Sequence, residues 1–218
     1  MSELIRVDNV PLAELSAPTS VVVSGGEMYI LLTPKDEVNT GLTRLLIGQE
    51  QAHSGHVLLF NTDLADLSVR ALREVRRNIG IVYGSGGLVS NLKAWENITL
   101  PLYYHQHLGR AVIEERGLAV LERLGYTGNL MALPGHLTIC QKKQIGFARA
   151  MLADPDVMLY ESPEAGLNHE EKNRFFTIAR EFHSEKPGRA SLFITSNPEV
   201  AGYVPEATVV NLTKGQIL

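Results

Sequence analysis

Cysteine is almost absent: Cys140 is the only one in 218 residues, which excludes an internal disulfide and fits a reducing compartment. Long apolar runs are missing as well. The longest, Met28 to Leu32, has five residues, far short of the ~20 that cross a bilayer as a helix. The opening Met-Ser-Glu-Leu-Ile-Arg-Val has no basic-then-apolar secretion pattern, so a cytoplasmic protein is expected. There is no basic excess either. Twenty Lys and Arg stand against 24 Asp and Glu, a net charge of −4, and no nucleic-acid partner is expected. Internal repeats and low-complexity segments do not occur. The remaining composition is ordinary, with 44% hydrophobic, 20% charged and 6% aromatic residues. A chain of this length buries roughly 70–75% of its unfolded surface, enough for a core without a staple.

Periodicity supplies the elements. Leu4–Val7, Ser20–Val23, Met28–Leu32, His56–Phe60 and Ile79–Val82 have the short apolar or β-branched runs of strands. Val38, Leu42, Leu45 and Leu46 fall at helical spacing before Gly48, and Ser68–Arg77 reads as a short basic helix. From Asn91 to Met151 the pattern is helical, over Ala94–Tyr104, Ala111–Leu124 and Leu137–Met151. Strands return at Val157–Tyr160, Ser191–Thr195 and Ala207–Leu212, with a charged helix over Asn168–Phe182 between the first two. Ser184–Arg189 reads as an exposed turn. Alternation of this kind predicts a mostly parallel α/β core with an inserted helical lobe.

A strand, loop and helix beginning near residue 28 invite a phosphate-loop reading, which needs G-x-x-x-x-G-K-[ST]. Thr33-Pro34-Lys35-Asp36-Glu37-Val38-Asn39-Thr40 does not satisfy it. The flanks add what the loop withholds. GLTRLLIGQEQAHSGHVLLFNTDL, RRNIGIVYGSGGLVSNLKAWENITLPL, ARAMLADPDVMLYESPEAGL and VVNLTKGQIL stand in the order and spacing of an ATP-binding cassette protein. From about Ile5 to Leu218 the chain resembles that family, and its Ile81–Leu102 block is similar to cassettes serving MCE-linked (Mla) lipid permeases. The resemblance implies an α/β P-loop NTPase, RecA-like cassette with an N-terminal antiparallel β lobe and an inserted helical subdomain. It further implies a single cassette over 1–218, with the core in 1–90 and 152–218 and the helical subdomain in 91–151.

The positions that carry the family's chemistry are replaced. Thr33 and Val38 stand at the loop glycines and Asn39 at the lysine, while Thr40 matches the magnesium-side hydroxyl. Tyr83 is followed by Gly84 where the Q-loop amide belongs. The signature is Leu137-Thr138-Ile139-Cys140-Gln141, and Glu161 and Ser162 take the places of the Walker B Asp and the catalytic Glu. Gly166-Leu167 ends in Asn168 at the D-loop, Ser196 stands at the switch histidine, and residues 10–18 hold no aromatic for adenine. One charge pair at about 6 Å and a dielectric near 20 is worth roughly 2.8 kcal/mol. Losing the lysine beside Asp36 and Glu37 therefore costs several kcal/mol of phosphate affinity. Ser162 cannot serve as a carboxylate base.

These replacements predict a cassette without ATP hydrolysis, with no cofactor and no metal, acting as a docking or regulatory component of a lipid transporter. The alternative is an active ATPase energising lipid transport, with Lys35 as the substitute lysine and ATP with Mg²⁺ as cofactor. A third reading adapts the pocket to another ligand. The family implies an integral-membrane permease as partner, a sister cassette in a homodimer or heterodimer, and a place at the inner face of the membrane. Tyr83, Gly84, Leu88, Leu92, Trp95 and Pro101 are the expected permease contacts, with Gly84, Gly86 and Gly87 making a mobile wall; the competing reading packs the apolar ones into the helical lobe. Cys140 is expected as a small buried hydrophobe rather than a redox thiol. His105-Gln106-His107 is expected as a solvated turn, and the Arg73–Arg77 and Glu114–Arg116 runs as solvated helix faces.

Overall fold

The computed structural model describes residues 2–12, 15, 17–105, 109–212 and 216–217. Its strands are β1 (Glu3–Val10), β2 (Thr19–Ser24), β3 (Met28–Leu32), β4 (His56–Leu59), β5 (Thr62–Asp63), β6 (Ile79–Val82), β7 (Val157–Glu161), β8 (Ala190–Thr195), β9 (Thr208–Asn211) and β10 (Gln216–Ile217). Its α-helices are α1 (Asp36–Leu46), α2 (Val69–Arg76), α3 (Ala94–His105), α4 (Arg110–Leu124), α5 (Ile139–Leu152) and α6 (His169–Ser184). The side chains of His105 and His107 lie outside the described residues. Thr213 to Gly215 and Leu218 lie outside them too.

Two sheets form. An antiparallel one runs β2-β1-β4-β5, and a larger one runs β10-β9-β3-β8-β7-β6, parallel except for the β9–β10 pair. Alternation along the central strands feeds two cores. Ile30, Met158, Tyr160 and Phe193 join the helices α3 to α6 on one face. Leu31, Val157, Leu159, Leu192 and Ile194 join α1 and the antiparallel sheet on the other. Strands buried on both faces read as continuous apolar runs for this reason.

One expectation is corrected. Arg189 does not belong to an exposed turn: it is 1% exposed, its Nη2 donates to Asp154 Oδ1 at 2.5 Å, its Nε donates to Pro155 O at 3.0 Å, and the guanidinium lies 3.6 Å from the Phe182 ring centroid. The expected mobile wall is made of closely fitted glycines. Gly86 (φ 87°) and Gly87 (φ 57°) lie in the left-handed region that suits glycine, and a Cβ on Gly86 would sit 2.6 Å from Lys142 O. Gly86 serves close approach to α5, and Gly87 serves close approach to the Tyr83 ring.

Candidate functional site

The C-terminal ends of β3, β8 and β7 lie side by side, where α/β sheets place their ligands. After β3 the chain passes through Thr33, Pro34 and an extended Lys35 (φ −165°) before α1 begins with Asp36 and Glu37. Thr33 is fixed by its N–H, which donates to Thr195 O at 2.9 Å. The first turn of α1 then puts Asn39 inward, fully buried.

Asn39 organises this corner. Its Oδ1 accepts from Thr33 Oγ1 at 2.5 Å, and its Nδ2 donates to Ser162 Oγ at 2.9 Å and to Asp36 Oδ1 at 3.2 Å. Asp36 Oδ1 also accepts from Ser196 Oγ at 2.6 Å. Beside them Thr40 Oγ1 donates to Glu161 Oε1 at 3.0 Å, while Glu161 Oε2 is buried without a protein partner. Burial raises the Glu161 carboxyl above the usual carboxylate range, and the Thr40 hydroxyl opposes that shift. Thr33, Asn39, Thr40, Glu161, Ser162 and Ser196 are thus brought together, and Gly84 backs onto Ser162, where an added Cβ would lie 3.3 Å from the Ser162 Cβ. Val38 is not in the network. It lines a cleft of about 410 Å³ with Pro11, Leu12 and Leu42.

Two residues escaped sequence reasoning. Lys143 is 1% exposed, and its Nζ donates to Ser162 O and Pro163 O, both at 2.8 Å. Burial pulls its ammonium down to about 8, against the attraction of Glu164. Asp36 was read as a repulsive charge but not as a hydrogen-bonding centre. In the signature segment, Thr138 and Gln141 form a reciprocal capping box at the start of α5. That pattern was legible as Thr-x-x-Gln before a helix. Ile139 is 40% exposed and packs on Gly166, while the Cys140 thiol is pushed up to about 11 by burial and by Glu171.

Among the expected partner contacts, Tyr83 and Pro101 share a groove of about 230 Å³. Leu88 and Trp95 instead pack against the core of the helical region, and Gly117 closes onto the Trp95 ring.

ATP with Mg²⁺ is what such a fold implies, and the residues do not fit it as arranged. Side chains joined by hydrogen bonds fill the helix start, Asp36 brings a negative charge there, and the buried Lys143 ammonium is directed at main-chain carbonyls.

Comparison with known proteins places this geometry. The family model described as ABC transporter matches residues 22–165. The phospholipid-transport ATP-binding protein MlaF of Haemophilus influenzae is 30% identical over 144 residues, covering 66% of this chain and 54% of that protein. The methionine import ATP-binding protein MetN 2 of Paraburkholderia xenovorans is 29% identical over 202 residues, covering 93% of this chain and 52% of that protein. The chain therefore spans about half the length of these relatives. In fold it is similar to MJ0796, a bacterial ABC transporter cassette solved as a dimer, with a TM-score of 0.85, 21% identity, and coverage of 98% and 96% of the two chains. These matches overturn the expectation that the chain is not an ATPase: the family model is that of ABC transporters, and its relatives are named as ATP-binding proteins.

Proposed function

We propose, from the premise that the chain belongs to the ABC transporter family, that it is the cassette subunit of a membrane transporter. The observation that carries this is the match over residues 22–165 together with a cassette fold along nearly the whole chain. Among the described residues no helix is long and apolar enough to cross a membrane. The subunit accordingly works at the inner face of the membrane, seated on an integral-membrane permease. The relatives favour ATP-driven transport over a purely docking or regulatory role. Lipid is the cargo class we assign, because MlaF is named for phospholipid transport and the Ile81–Leu102 block is similar to cassettes of that branch. Pairing with a second cassette, identical or not, is part of the proposal, in line with the dimeric MJ0796 structure.

Reconstitution tests it. The chain, purified with its membrane subunit and placed in vesicles, should accelerate movement of a labelled phospholipid when Mg-ATP is supplied. Stimulation by methionine and not by lipid would move the cargo to the amino-acid class. Failure to copurify with any membrane subunit would sink the reading.

A further inference from the structure

Ser162, the residue after β7, holds a backbone conformation that a side chain disfavours. Its φ of 41° lies in the left-handed region, where a Cβ crowds the following carbonyl and glycine is the usual occupant. Such a conformation persists only where its surroundings over-determine it. Contacts from β8, α5 and α1 do so here. The Ser162 N–H donates to Ile194 O of β8 at 2.9 Å. Its carbonyl accepts from Lys143 Nζ of α5 at 2.8 Å, and the same ammonium donates to Pro163 O at 2.8 Å. Its hydroxyl accepts from Asn39 Nδ2 of α1 at 2.9 Å. Glycine would relieve the backbone but could not supply that last contact.

Lys143 is the costly member of this set. It is 1% exposed, in a place that an apolar chain of the same length would fill without burying a charge. Its hydrogen bonds go to main-chain carbonyls of one turn, so the ammonium holds backbone in place. A second strap crosses the same turn. Thr195 Oγ1 donates to Glu164 Oε1 at 2.6 Å, and Thr195 O accepts from the N–H of Thr33, whose hydroxyl donates to Asn39. Asn39 is therefore held from Ser162 on one side and from Thr33 on the other. We propose that Lys143 is a positioning residue of the phosphate-loop corner: by holding two successive carbonyls it keeps Ser162 left-handed, and so keeps the Ser162 hydroxyl on Asn39. The clamp ties the start of α5, which carries the signature segment, to the first turn of α1. Neither the cargo nor the membrane partner enters this assignment.

A double-mutant cycle read at Asn39 tests it. Lys143→Met keeps the length of the side chain and removes its donors, while Ser162→Ala removes only the hydroxyl. The readout is solvent exchange of the Asn39 side-chain amide, followed in nitrogen-15 spectra of the purified chain. Exchange should quicken about tenfold in either single variant, the worth of one lost hydrogen bond, and no further in the double variant. Unchanged exchange in Lys143→Met overturns the assignment. So does a double variant in which the two effects multiply, because the residues then act separately. Ile145→Val, buried two residues along the same helix, controls for general loosening: it should lower the urea midpoint and leave the Asn39 signal unmoved. Equal quickening in that control assigns the effect to stability alone and overturns the positioning role. If Lys143→Met does not fold, Lys143→Gln replaces it in the cycle, since its amide ends an atom short and cannot span both carbonyls. None of these outcomes touches the transporter reading, which stands or falls on the reconstitution.

Discussion

Asn39 bonds to Thr33, Asp36 and Ser162 at once, so the phosphate-loop corner is a closed set of neutral and negative side chains. The exposed Asp36 carboxylate stands where a triphosphate would enter, and Asn39 stands at the family's lysine position. Removing that carboxylate and restoring the lysine, with Asp36→Ala and Asn39→Lys together, changes two charge pairs of roughly 2.8 kcal/mol each at about 6 Å. Asp36 is exposed, so screening discounts its share. We expect Mg-ATP affinity to rise about 100-fold over the natural chain, measured by calorimetric titration. An unchanged affinity would show that nucleotide is held elsewhere on the chain. A second expectation concerns Cys140. With its thiol pushed from 9.0 up to about 11, the thiolate fraction at pH 8 falls about 100-fold, and alkylation by iodoacetamide should slow in proportion against a free cysteine. Alkylation as fast as the free thiol would mean that burial and Glu171 do not govern this residue.

At the scale of elements, α5 shows how closely the helical region is fitted. A Cβ on Gly146 would stand 2.5 Å from Gly86 O, a backbone atom that cannot swing aside. Glycine to alanine in a helix interior ordinarily stabilises by about 0.5–1 kcal/mol. Here overpacking against fixed backbone outweighs that gain, and Gly146→Ala should lose about 2 kcal/mol in urea unfolding. A gain in stability would mean that the 84–88 segment is loose after all. The same region shows what the sequence made legible. Strong periodicity gave α1, α3, α4 and α6 to within about two residues, because burying one helical face is a local pattern. Resemblance along the chain located the phosphate-loop corner. What stayed hidden was contact between distant segments. Arg189 looked like a charged turn residue, yet Asp154, far off in sequence, and the Phe182 ring at the end of α6 draw it inside. Lys143 carries no sequence signal beyond being one of two adjacent lysines, and only the fold shows that it reaches the carbonyls after β7. The two-residue strand β5 has too little length for any period.

The whole molecule holds its two cores on opposite faces of one sheet, and this bears on how it unfolds. At 218 residues it exceeds the size at which a single transition is the usual rule, and the helices α3 to α5 form a contiguous insertion that could melt by itself. The packing argues otherwise. Ile98, Leu102 and Ile113 from the insertion belong to one buried cluster with Met158, Tyr160 and Phe193 from the sheet and Phe175 and Phe176 from α6. Phe147 on α5 meets Tyr160 edge-on at 5.5 Å between centroids, and Lys143 ties the same helix to the turn after β7. Losing the insertion would strip those strands of one apolar face, so the two parts should come apart together. The chain offers its own probe, because its single tryptophan, Trp95, sits on α3 and packs against Gly117 of α4. Fluorescence reports the insertion, and far-ultraviolet circular dichroism reports all elements. In guanidinium the two curves should superimpose, with one midpoint. If the fluorescence change comes first, by as little as half a molar, the insertion is a separate unit and the shared cluster does not bind it to the sheet.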